Sequence, residues 1–124
     1  MKTYIVGVLL GLAMASTVQA NQIMAVDAKK VVGRDGLVCG TVAGFRFNEN
    51  TEGAPGIFYF EKNFPSHEFS VRINRADLEK MPAISGKEST YVGKIMCAEG
   101  RVERGGGGRP EMRVTQQSKI KLGS

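Results

Sequence analysis

The chain reads as an all-β domain, a small and partly open Greek-key barrel of five strands with a short N-terminal helix and a second short helix between strands three and four. Three observations lead there. Five β-favouring runs are separated by clusters of Gly, Pro, Asn and Asp. The first run is long and carries Gly40 and Gly44 in its interior, the mark of a strand that bends or bulges. A helix-favouring stretch falls between the third and fourth runs. An open α+β sheet packed on one helix also buries one face of each strand and is the rival architecture.

The elements follow in order. Lys2, an apolar run over 4–15 and small or aliphatic residues at Val18 and Ala20 read as a secretory signal peptide, residues 1–20, cleaved after Ala20. A membrane anchor competes with that reading, but Gly7 and Gly11 interrupt the run, which falls short of the roughly 20 residues a spanning helix needs. Residues 21–124 then form a single domain with no membrane insertion. Asp27 caps a short helix through Val32, which Gly33 and the Asp35-Gly36 pair end. Residues 37–47 are the first strand, 48–56 a loop, and 57–61 the second strand. After a turn at Pro65, Phe69, Val71 and Ile73 alternate with Ser70, Arg72 and Asn74 in the third strand. Residues 75–81 favour helix until Pro82 ends it. Residues 94–104 and 109–115 supply the last two strands, joined by Gly105 to Gly108 as a flexible tip, and Ile120 and Leu122 pack on the barrel edge.

Cys39 lies between Val38 and Gly40, and Cys97 between Met96 and Ala98. If those flanking residues face the core, strand alternation turns both sulfurs outward, where they can meet across neighbouring strands. An even cysteine count in an exported chain favours pairing, and closing a separation of 58 residues contributes about 4 kcal/mol in the chain-entropy model. Two buried, reduced cysteines are the competing reading.

The net charge is +5, and +4 once Lys2 is removed, which suits a polyanionic partner or simple solubility. One histidine and two cysteines cannot furnish a four-ligand zinc site, so no metal and no cofactor is expected. His67 has only Ser66 and Glu68 beside it, sequence neighbours that point elsewhere, and Asp35, Asp77 and Glu79 form no metal-holding cluster. The glycine tract lacks the Lys-Ser ending of a phosphate loop and opens no helix. No enzymatic activity is expected.

Val-Cys-Gly-Thr-Val (38–42), Phe-Pro-Ser-His-Glu-Phe-Ser-Val (64–71), Tyr-Val-Gly-Lys-Ile-Met-Cys (91–97), Gly-Arg-Val (100–102) and Arg-Pro-Glu-Met-Arg-Val (109–114) together resemble small exported bacterial OB-fold proteins. The resemblance spans most of residues 27–120. It implies a five-stranded OB-type barrel whose first and fourth strands are antiparallel neighbours, which agrees with a Cys39–Cys97 pair. It also implies nucleic-acid binding, although OB barrels hold sugars, peptides and proteins too.

In such a barrel the outer side of strands two and three binds single strands by stacking and phosphate contact. Outward parity nominates Tyr59, Ser70, Arg72 and Asn74, with Arg101 and Arg113 extending the strip and Arg46, Arg104 and Arg109 at strand or loop ends beside it. Tyr59 is the expected stacking aromatic; Phe45, Phe47, Phe58, Phe60 and Phe64 read mostly as core or core edge. Glu99, Glu103 and Glu111 share the outward parity, so the charges can also neutralise one another. The expectation is a non-catalytic periplasmic or secreted protein that binds single-stranded nucleic acid. The alternative is an envelope module that binds a protein or glycan.

Overall fold

The computed structural model describes residues 22–123, so the leader expected over residues 1–20 lies outside the described residues. Eight strands occur among those described: β1 (Gln22–Met24), β2 (Asp35–Phe47), β3 (Gly56–Phe60), β4 (Phe69–Ile73), β5 (Ile95–Arg101), β6 (Glu103–Arg104), β7 (Pro110–Arg113) and β8 (Ile120–Leu122). They form one curled sheet in the order β6-β7-β4-β3-β2-β5-β8, with β1 parallel to β2.

The long strand does the curling. Residues 35–41 of β2 pair antiparallel with β5, residues 42–47 pair antiparallel with β3, and the register shifts between Val42 and Gly44. One strand thereby serves both halves of the sheet, as its interior glycines led us to expect. The half containing β3, β4 and β7 is completed by a parallel β4–β7 pair. The chain runs from β5 through Val102 into β6, which pairs with β7, so β6 at one end of the sheet is continuous with β5, the strand next to the other end.

Inside lie Val38, Val42, Phe58, Phe60, Phe69, Val71, Ile73, Met96, Ala98 and Met112, all fully buried. Each large side chain removed from water in this way contributes about 1.5–3 kcal/mol before entropic costs. A 3-10 helix (Ala25–Val31) lays Ala25 and Ala28 against this core. It can approach because Gly40 has no side chain: a Cβ there would stand 2.7 Å from the Ala25 Cβ. Helix α1 (Arg75–Leu78) and the turns after it add Leu78, Met81 and Ile84.

Several expectations are corrected. The strand count is eight rather than five. One cause is Val102, whose N–H donates to the Arg34 carbonyl while its own carbonyl accepts from Gly33, so the predicted fourth strand divides into β5 and β6. Another is β1, a strand of 3 residues, too short to show alternation. The third is β8, where Ile120 and Leu122 do not merely rest on the edge but pair with Ala98 and Met96. The expected N-terminal helix is present as a 3-10 helix, while the second helix is α-helical only through Leu78 rather than to residue 81.

Cys39 and Cys97 face each other in register and are disulfide-bonded. Outward parity did not leave Cys39 exposed: it is 2% accessible, with Met24 of β1 opposite it on its other flank. Among the described residues no helix is long and apolar enough to cross a membrane.

Candidate nucleic-acid interface

The pairing register decides which side chains share the outer face of the β3–β4–β7 half. Tyr59 stands opposite Ser70, Ile57 opposite Arg72, Ser70 beside Glu111 and Arg72 beside Arg113. Arg46, at the far end of β2, pairs with Ile57 and so shares the face. The face therefore has an apolar and aromatic centre on β3 with cations on both flanks.

It is not an open strip. Residues 61–68 fold back over it, and Asn63 comes to rest where Gly44 leaves room, since a Cβ on Gly44 would collide with the Asn63 amide. Asn63 Oδ1 accepts the Phe64 N–H at 2.8 Å and tightens the turn. The fold-back places the Phe64 ring 5.4 Å and the His67 ring 4.8 Å from the Tyr59 ring, centroid to centroid. Arg109 helps hold the loop, because its Nη1 donates to the His67 carbonyl at 3.0 Å.

Tyr59 is consequently 3% exposed, which corrects the expectation that it stands out as the stacking platform. The exposed aromatic is Phe64, at 47%. The Arg46 guanidinium lies 4.2 Å from the centre of the Phe64 ring, a cation–π contact, and the His67 ring is nearly parallel to that of Phe64, at 6.0 Å. The outermost plane is thus an arginine backed by an aromatic, and nucleic-acid bases stack on arginine planes as they do on rings.

Between this cap and the strands lies a pocket of about 160 Å³. Its base is Ile57, Tyr59 and Ser70, and its rim holds Arg46, Asn48, Phe64 and His67 on one side and Arg72, Glu111, Gly106 and Arg109 on the other. Arg72 Nη1 and Glu111 Oε2 are 3.7 Å apart and about a fifth exposed, and Arg72 Nε has no partner. His67 Nδ1 is buried and also unpartnered. Burial, reinforced by the Arg109 charge and only partly opposed by Glu68, holds the His67 pKa below its ordinary value, so the ring is neutral at pH 7. Three arginines and one glutamate around a neutral aromatic recess make a site that favours an anion carrying a flat ring.

The structure gathers some nominated residues and scatters others. Tyr59, Arg72 and Arg109 line the pocket, and Arg113 lies beside Arg72 on the neighbouring strand. Arg104 stays within its own hairpin, donating weakly to the Gly108 carbonyl at 3.4 Å. Asn74 precedes α1 and its amide sits against Gly53, away from the pocket. Arg101 belongs to the other half of the sheet, opposite Asp35. Phe64 and His67 were the residues sequence reasoning undervalued. Their signal was the cluster Asn63, Phe64, Pro65 and Ser66, a turn; strand parity gave no help, since His67 precedes β4 and falls on the parity of the core residues Phe69, Val71 and Ile73. Among the described residues no group of three or more His, Cys, Asp or Glu is placed to hold a metal ion.

Known structures share this fold. A chain assigned as an aspartyl-tRNA synthetase from Leishmania major Friedlin superposes with a TM-score of 0.53 at 16% identity, covering 87% of this chain and 22% of its own. One chain of yeast Stn1 and Ten1 gives 0.53 at 14% identity, covering 87% of this chain and 65% of its own. The OBody AM3L15, solved bound to hen egg-white lysozyme, gives 0.51 at 18% identity over 82% of this chain and 92% of its own. This chain thus spans less than two thirds of the first and of the yeast protein. The likeness is one of fold, a curled OB-type barrel; these neighbours do not carry the narrower kinship with exported bacterial proteins. No protein-family model and no curated protein matches the sequence.

Proposed function

We propose that this protein binds single-stranded nucleic acid, without chemistry, on the outer face of β3, β4 and β7. The observation that carries the reading is the conjunction of a stacking plane, Arg46 on Phe64, with Arg72 and Arg109 lining the same pocket and Arg113 beside Arg72 on the next strand. Bases stack on such planes for roughly 1–3 kcal/mol each, and phosphates are drawn by the arginines. The tRNA named in the synthetase neighbour is in keeping with it. Export to the periplasm or beyond is part of the proposal. It rests on the leader-like residues 1–20 and on the disulfide, which persists in oxidising compartments.

A protein partner on the same face is the second reading, supported by the OBody, a neighbour of nearly the same length that holds lysozyme. Titrating a fluorescent single-stranded oligonucleotide into wild type and into an Arg46→Glu/Arg113→Glu variant separates the two. Both residues are exposed, so the fold tolerates the change. Nucleic-acid binding present in wild type and abolished in the variant supports the proposal; no binding by wild type at low salt rejects it.

A further inference from the structure

The pocket is sized and edged for one base rather than for a run of them, and resting on the nucleic-acid reading above, we propose that it selects guanine. The argument starts from the Arg72–Glu111 pair. The two side chains lie side by side at 3.7 Å on one wall, both largely buried and both lining the pocket. At that spacing they are loosely associated, and Arg72 Nε lacks any partner. A buried guanidinium donor without an acceptor is costly, and a ligand acceptor in that place relieves it.

The pair offers a donor next to two acceptors. Arginine supplies N–H groups, and the carboxylate supplies two oxygens in one plane. Guanine shows the complement along its Watson–Crick edge: the O6 acceptor, then the adjacent N1–H and N2–H donors. Adenine and cytosine each offer Glu111 a single exocyclic amine and leave one carboxylate oxygen empty, and thymine offers one N–H between two carbonyls. Only guanine fills both oxygens of Glu111 while giving Arg72 an acceptor. Ile57 and the aromatic cap supply the apolar contact for the ring, and Arg109 with Arg46 stands at the rim for the phosphates.

The hairpin is shaped around Glu111. Gly105 has an ordinary φ of −97°, yet a Cβ there would stand 2.8 Å from the Glu111 Cβ and 2.5 Å from its Oε1. The glycine is needed for Glu111 rather than for its own backbone. This gives a way to move the carboxylate without removing it.

The test uses short oligothymidylates carrying one central guanine, inosine, adenine or cytosine, titrated against the whole protein. Guanine is expected to bind about tenfold tighter than adenine or cytosine, the worth of one good bidentate contact, with inosine, which lacks the N2 amine, in between. Glu111→Gln and Gly105→Ala are each expected to bring guanine and adenine to parity. A merely electrostatic Glu111 would instead shift all four oligonucleotides together, which overturns the proposal. Equal affinities in wild type also overturn it while leaving the nucleic-acid reading intact, whereas absence of binding to every oligonucleotide removes both.

Discussion

The two halves of the curled sheet share β2 and the same core, yet their outer faces are built differently. On the β2–β5–β8 half the face is tied down by the Cys39–Cys97 bond, with Met24, Ile95 and Lys121 around it. On the β3–β4–β7 half no covalent tie exists; a folded-back loop, an aromatic trio and three arginines surround a recess, with Arg113 beside Arg72 on the neighbouring strand. On the function proposed above, the second face serves recognition, while the first carries the covalent tie. Of the three buried side-chain polar atoms without a partner among the described residues, Arg72 Nε and His67 Nδ1 belong to residues lining the recess, and the third is Arg75 Nε on α1.

That contrast can be broken experimentally. The largest expected effect is on the tied half: replacing Cys39 and Cys97 together by alanine should lower unfolding stability by about 4 kcal/mol in the chain-entropy account, measured by denaturant titration. Oligonucleotide affinity of the fraction still folded should not change. A loss of binding without loss of stability would mean that the two faces are not separable.

Next in size is the charge comparison. Arg46→Glu with Arg113→Glu should weaken single-strand binding on the order of a hundredfold at low salt, about 2.7 kcal/mol, while Arg101→Glu on the other half should change it by less than about twofold. Fluorescence anisotropy measures both. Phe64→Ala, which removes the support of the Arg46 plane, should cost roughly 1–3 kcal/mol of affinity and little stability, because the ring is half exposed.

The smallest effect concerns His67. Its folded-state pKa is lowered, so as pH falls below the ordinary value of about 6.5 the unfolded chain takes up a proton there before the folded one does. Stability contributed at pH 7 is thus lost progressively on acidification through the lowered pKa. His67→Gln should flatten that part of the stability-versus-pH curve, read by urea midpoints between pH 7 and pH 5. An unchanged slope would show that the imidazole is not held neutral by its surroundings.

The barrel was legible in the sequence because its signals are local. Gly40 and Gly44 announced the bend in β2, alternation announced β4, and the two cysteines between core residues announced the pairing of β2 with β5. The short strands were not legible: β1, β6 and β8 are made by hydrogen-bond partners far away in sequence, and two or three residues carry no period. The face was legible in outline, since parity alone places Tyr59, Ser70, Arg72 and Arg113 together. Its depth was hidden. Whether Tyr59 is a platform or a floor depends on Asn63 finding the gap at Gly44 and on Arg109 reaching the His67 carbonyl, contacts between segments that no periodicity reports.

The most direct test of the central claim, that the outer face of β3, β4 and β7 holds a single strand by its phosphates and one stacked base, is the salt dependence of oligonucleotide affinity. Log affinity should fall linearly with log salt, with a slope of about −0.7 for each phosphate neutralised, and the slope should shrink when Arg46 and Arg113 are replaced. Affinity that stays level across ionic strength, or a slope untouched by those replacements, would contradict the account.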